Sequence, residues 1–253
     1  MCLAAGLCAL GVETEITREQ RCLLDAYPEH LCSVRSNMLF WCDGTVMQWD
    51  SGRTYEDFDE LLNNADLADQ MSIEYPLGRD YTIPLPENFD PGRVRSEAFF
   101  RKMYGGRAEE VRATLEPIVW LPEHAGKKLW VTGVNDVHVR LGRVSDDLAK
   151  VDPRVRVQIE ETSGTFVWRV IKGTSRASMH SFAIAVDVGV PISDYWRWNK
   201  PGPDGIYPYK NRMPLEVVEI FERHGFIWGG KWYHFDTMHF EYRPELILCG
   251  GEQ

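Results

Sequence analysis

The chain has 253 residues, 44% of them hydrophobic and 26% charged, with a formal net charge of −10 and a pI near 5.2. That is the composition of a soluble globular protein with room for a sizeable core. An acidic chain without Lys/Arg clusters argues against nucleic acid and anionic lipid surfaces as partners, and no stretch approaches the roughly 18 apolar residues of a membrane span.

In chain order, residues 1–12 are apolar and read as part of an export signal, although a basic start and a small-residue cleavage site are missing. Residues 13–115 read as an N-terminal extension without an assigned role, and residues 116–253 as the domain that carries the chemistry. A short helix is expected within 13–33. Met38 to Trp49 reads as a hairpin turning at Asp43-Gly44. Residues 75–93, rich in Pro, Gly and Asp, read as a surface loop. Arg93 to Leu115 is helical in character, Leu129 to Val134 a strand, and Asp136 to Lys150 an amphipathic helix with Val137, Leu141, Val144 and Leu148 on one face. Strands are expected at Thr165–Ile171 and Ala183–Val188. A helix is expected over Met213–His224, capped by Gly225, with one or two strands in Phe226–Tyr242. Helices beside a small, largely antiparallel sheet make an α+β domain.

Six cysteines stand at 2, 8, 22, 32, 42 and 249, none in C-x-x-C spacing, so cysteine ligation of zinc is not expected. In an exported protein the first pairing expected is Cys22–Cys32, closing a short loop, and the second Cys42–Cys249.

Two segments carry the chemistry. In Ser178-Met-His180 through Asp187, an extended strand would put Ala183, Ala185 and Asp187 on one face, with small residues leaving space beside the carboxylate. His180 can swing toward it from the preceding turn. In Asp236-Thr-Met-His239-Phe-Glu241, His239 and Glu241 share a face, and Asp236 needs a bend to join them. Two His and a carboxylate can hold Zn²⁺ with one position open. A further carboxylate, Asp236, can act as base and then acid, and Glu241 can orient a ligand imidazole. Two points stay open: Asp236 instead of Asp187 as third ligand, and a plain hydrogen-bonded His–Asp pair at a strand end. Arg169, on the expected strand, is a candidate for the oxyanion or a substrate carboxylate, while Arg176 reads as a surface ion-pair residue. Ser178 is placed near the ligand histidine or at the cap of its turn, and His234 is the remaining histidine closest to the site.

The two segments together resemble the M15 zinc peptidases, the group of D-alanyl-D-alanine carboxypeptidases and L-alanyl-D-glutamate endopeptidases. Ser178-x-His180-x₆-Asp187 resembles the first ligand block, and Asp236-Thr-Met-His239 the second, most like the endopeptidase-type subfamily. The resemblance covers roughly residues 130–247. It implies His180, Asp187 and His239 as zinc ligands, Asp236 as catalytic base and Arg169 as the upstream arginine. It also implies a small α+β fold shared with the hedgehog signalling domain and peptidoglycan peptides as substrate; the chain is expected to be a monomer, exported and periplasmic or wall-associated, with a cytoplasmic place as the alternative. The family usually has Gly where this chain has Ala183, and often Asn just after the ligand Asp, where this chain has Val188-Gly189-Val190. The rival from another class is a zinc-bearing wall-peptide binder that has lost catalysis.

Overall fold

The computed structural model describes residues 15–79 and 81–251; the expected export segment lies outside them. The order of elements is α1 (Arg18–Ala26), β1 (Leu31–Arg35), β2 (Met38–Trp41), β3 (Val46–Gln48), α2 (Phe58–Asn64), α3 (Leu67–Met71), α4 (Glu97–Tyr104) and α5 (Ala108–Arg112). There follow β4 (Leu115–Trp120), β5 (Lys127–Thr132), α6 (Val137–Leu148), α7 (Pro153–Ile159), β6 (Thr162–Gly164), β7 (Ala185–Val188), α8 (Leu215–Arg223), β8 (Phe226–Trp228), β9 (His239–Tyr242) and α9 (Pro244–Gly250).

The sheet that matters for function has the order β6-β7-β9-β8, every pair antiparallel. Its register sets Asp187 directly opposite His239 and Ala185 opposite Glu241, so those four side chains share one face. The other face is closed by α8, whose Phe221 stacks on Phe240 with ring centroids 3.8 Å apart. Burying such an aromatic stabilises by roughly 1.5–3 kcal/mol and fastens β9 to α8. Two further antiparallel units, β1-β2-β3 and β4-β5, complete the α+β architecture.

The same hydrophobic cluster contains Leu23, Tyr27, Trp41 and Phe99 from the N-terminal half and Phe182, Val186, Phe240 and Leu246 from the C-terminal half. Helix α1 starts on a capping box of Thr17 and Gln20 and buries Cys22 and Leu23. Its Cys22 faces α9, and the disulfide forms with Cys249, Cα atoms 5.6 Å apart. The second disulfide joins Cys32 and Cys42 across 5.1 Å. Both expected pairings, Cys22–Cys32 and Cys42–Cys249, are therefore wrong. The reason is that the antiparallel β1–β2 pairing, Leu31 opposite Trp41, already brings Cys32 and Cys42 together.

Expected and observed elements differ in three more places that bear on function. The strand expected at Thr165–Ile171 is instead irregular backbone after β6, with only Val170 bridged, to Ala177. Arg93–Leu115 is two helices, broken at Gly105-Gly106.

Ala183 is not on the strand either. It ends a 3-10 turn, Met179–Phe182, with φ 56°, in the left-handed region, so the expected Ala183–Ala185–Asp187 face holds only for the last two. An L-residue in that region costs about 1–2 kcal/mol. Glycine would remove that cost, but would lose a buried methyl worth about 0.8 kcal/mol and add unfolded-chain freedom worth about 0.4–1 kcal/mol. These terms nearly cancel, so Ala183→Gly should move the stability read by urea unfolding by less than about 1 kcal/mol. Ala183→Val, β-branched at positive φ, should cost about 2 kcal/mol or more. A Gly variant as damaged as the Val variant would contradict this account.

Candidate metal centre

His180 comes from the 3-10 turn, which is stitched to the irregular stretch before it by Val167 N–H donating to the His180 carbonyl at 3.1 Å. Its ring is fixed by Nδ1 lying 2.9 Å from the Thr165 carbonyl. A carbonyl only accepts, so Nδ1 carries hydrogen, and Nε2 turns to Asp187 Oδ1 at 3.2 Å. On β9, His239 Nε2 meets Glu241 Oε2 at 3.0 Å and Nδ1 meets the same Asp187 Oδ1 at 3.1 Å. One carboxylate oxygen thus faces two imidazole nitrogens, and donor atoms of His180, Asp187 and His239 all lie within 4.8 Å of one another.

Those contacts ask for a cation. With their outer nitrogens protonated and the rings neutral, both histidines point lone pairs at Asp187. Positive charge in the triangle, as protons or as a metal ion, is what resolves the clash. Burial opposes charging His239, but the hydrogen bonds and negative charges of Asp187 and Glu241 overcome it and raise the ring to about 10. Burial likewise opposes the Asp187 charge, yet His180 and His239 hold its carboxyl well below the usual range. Ligands 2.0–2.1 Å from a tetrahedral zinc lie about 3.3 Å apart, close to the two separations from Asp187 of 3.2 and 3.1 Å, and the chemistry of two imidazoles and a carboxylate suits that ion.

Asp236 sits beside the trio. The bend it requires is present: His239 N–H donates to the Asp236 carbonyl at 3.1 Å, and Asp236 N–H to Gly229 at 2.9 Å. Gly229 is needed there, because a Cβ would lie 2.6 Å from the Asp236 carbonyl oxygen. The Asp236 carboxyl Oδ1 is buried with no hydrogen-bond partner among the described residues. Burial pushes this carboxyl up to about 6; His239 pulls the other way and the nearby Asp187 charge adds to the rise.

The trio and Asp236 open into a cavity of about 90 Å³ that is also lined by Ser178, Glu241, Tyr195 and Trp232. Arg169 lines it from the irregular stretch, exposed, with its backbone held by Ser181 Oγ. Ser178 is buried and makes no side-chain cap bond to the turn. His234 does not line the cavity: its Nδ1 is bound to the buried Asp90 at 2.5 Å, and Phe58 stacks on its ring. Arg176, expected in a surface ion pair, is half-buried with Nε and Nη1 lacking any partner among the described residues.

Two charged lining residues, Arg93 and Arg95, were not singled out from the sequence. They lie two apart in Gly92-Arg-Val-Arg95, a spacing that puts both on one side of extended chain, and that alternation was the available signal. The Arg93 guanidinium lies 4.8 Å from the Trp232 ring centre, and its buried Nε has no partner among the described residues. Gly92 permits this close passage: its φ is +94°, and a Cβ would meet Ile227 Cδ1 at 2.4 Å. Burial draws Arg95 down to about 10; Glu241 partly offsets this and Arg176 and other arginines add to it.

Residues 172–242 match a family model described as D-alanyl-D-alanine carboxypeptidase. The matched stretch contains His180, Asp187, Asp236, His239 and Glu241 but not Arg93, Arg95 or Arg169, and it supports an M15-type peptidase. No curated protein and no solved structure matches the chain.

Proposed function

We propose that this chain is a zinc-dependent peptidase that hydrolyses a peptide bond in bacterial wall stem peptides of the D-alanyl-D-alanine type. The observation that carries the reading is the convergence of His180, Asp187 and His239 beside a buried carboxyl with an unpartnered oxygen. His180, Asp187 and His239 would hold the ion. Zinc bound there supplies a Lewis acid for the scissile carbonyl and lowers the pKa of a water to about 7.

The chain's own residues do the rest. Asp236, lifted to about 6 by burial, accepts the proton of the attacking water and returns it to the departing amine nitrogen. The Thr165 carbonyl and Glu241 keep the two imidazoles in the tautomers that present Nε2 and Nδ1 inward. Arg169 at the rim and Arg93 in the wall face the cavity with charge that suits a substrate carboxylate or a developing oxyanion. Two disulfides fit an exported protein, and among the described residues no helix is long and apolar enough to cross a membrane.

The test is mass spectrometry of stem peptides incubated with the zinc-loaded protein, with and without a chelator. Peptides ending in free D-Ala-D-Ala, their C-terminal amides and internally bonded analogues are compared. Chelator-sensitive release of D-alanine is the expected product, and no cleavage of any peptide would sink the proposal. In the same assay Arg93→Gln should raise KM for the free acid by roughly 10-fold to 100-fold, the loss of a charge-assisted hydrogen bond, and leave the amide unaffected.

A further inference from the structure

His239 is held from behind by a buried chain of charge-assisted bonds that runs out of the matched stretch and into the N-terminal segment. Its Nε2 meets Glu241 Oε2 at 3.0 Å. Arg243 Nη1 donates to the other oxygen of Glu241 at 2.9 Å and to the Gly92 carbonyl at 2.8 Å. Arg243 Nε donates to Glu245 at 2.6 Å. Tyr27 of α1 donates its hydroxyl to Glu245 at 2.7 Å, and Gln70 of α3 donates to the same carboxylate at 3.3 Å. Gln70 is fixed in turn by Ser96 N–H at 3.1 Å. Tyr27, Gln70, Glu241, Arg243 and Glu245 are each no more than 1% exposed.

A planar guanidinium with two of its edges committed has one allowed orientation, and Glu241 follows it. Glu241 then decides the tilt of the His239 ring and how basic its inward nitrogen is, the two properties that outer partners of a ligand histidine control. Glu241 has one oxygen on Arg243 and the other on His239, so both of its oxygens are engaged in this chain. Helix α1 is itself locked to α9, the helix that carries Glu245, by the Cys22–Cys249 disulfide.

We propose that Tyr27, Gln70 and Arg243 are positioning residues for the ligand His239, so that the N-terminal segment sets the metal affinity of the centre. The inference rests on the metal reading above and needs no peptide to test it. A matched control exists: Tyr75 is as buried as Tyr27, donates its hydroxyl to Glu222 at 2.7 Å and accepts from Trp228 N–H at 3.0 Å. Glu222 pairs with Lys231, and the hydrogen bonds of Tyr75 and Glu222 run to Trp228, Gly78 and Lys231 and not toward His239.

Zinc affinity is measured by chelator competition on Tyr27→Phe and Tyr75→Phe, each checked for folding by its metal-free thermal melt. Tyr27→Phe should bind zinc roughly threefold to tenfold more weakly, and Arg243→Lys, which keeps the charge and loses the fork, roughly 10-fold to 100-fold, the range for outer partners of a ligand histidine. Tyr75→Phe should match the native protein despite a comparable loss of stability. The visible spectrum of the cobalt-substituted protein should change with Tyr27→Phe and not with Tyr75→Phe. Equal shifts for the two tyrosine variants, or none for Tyr27→Phe, would overturn the proposal. Native protein that binds zinc but cleaves nothing would remove the peptidase reading and leave this one standing; native protein that takes up no zinc would remove both.

Discussion

Asp236→Asn should retain zinc and lose hydrolysis. The substitution preserves shape and size but cannot accept a proton, so kcat/KM should fall by about 10²–10⁴-fold, the usual contribution of a positioned acid–base group. The geometry specifies the separation of effects. Asp236 stands next to the His180–Asp187–His239 triangle and outside the group whose donor atoms lie within 4.8 Å of one another, so metal content read by elemental analysis should stay near one equivalent. Its unpartnered Oδ1 also means that the amide leaves no broken hydrogen bond inside the protein. A variant within tenfold of native would exclude Asp236 as the base. A variant that loses its metal as well would make Asp236 a ligand, the alternative the sequence left open. An inactive variant that still binds stem peptides would be an engineered version of the non-catalytic binder.

His239→Ala should abolish both metal retention and turnover. The ring is one of three donors, so its loss should exceed the roughly 10-fold to 100-fold that removal of an outer partner costs. It also strips Glu241 of one of its two partners, while Arg243 Nη1 remains at 2.9 Å, so the carboxylate is not left unpaired. The fold should therefore survive, with circular dichroism close to native and no zinc retained after dialysis. Full zinc retention by His239→Ala would move the centre elsewhere.

The convergence of His180, Asp187 and His239 was legible because metal chemistry restricts residue type and spacing strongly, and because the 3-10 turn, β7 and β9 each needed only local order to carry its residue. Helices α6 and α8 were legible for a related reason: their buried residues repeat at helical spacing, and Val137, Leu141, Val144 and Leu148 are all buried as expected. The stretch Thr165–Ile171 misled because aromatic and β-branched composition reports a fit to a half-buried surface, not a strand partner. Val167 and Val170 are in fact exposed, and the backbone there bonds to the turn that carries His180. Strand β4 hid behind Pro117 and a burial pattern that does not alternate. Arg93 and Arg95 could not be assigned to the site because their approach depends on long-range docking: the chain after the 75–93 loop is anchored by Tyr233 N–H to the Phe89 carbonyl at 2.8 Å and by Asp90 to His234.

The Cys22–Cys249 bond joins residues 227 apart in sequence into one covalent ring. A protease that cuts an exposed stretch inside that ring, such as residues 82–84, opens the ring without dividing the molecule. The two ends of the cut remain on one covalent body, and Tyr27 and Gln70 stay tethered to the half that carries His239. In surroundings rich in hydrolases, the chain can thus be nicked once and still keep its parts at intramolecular concentration.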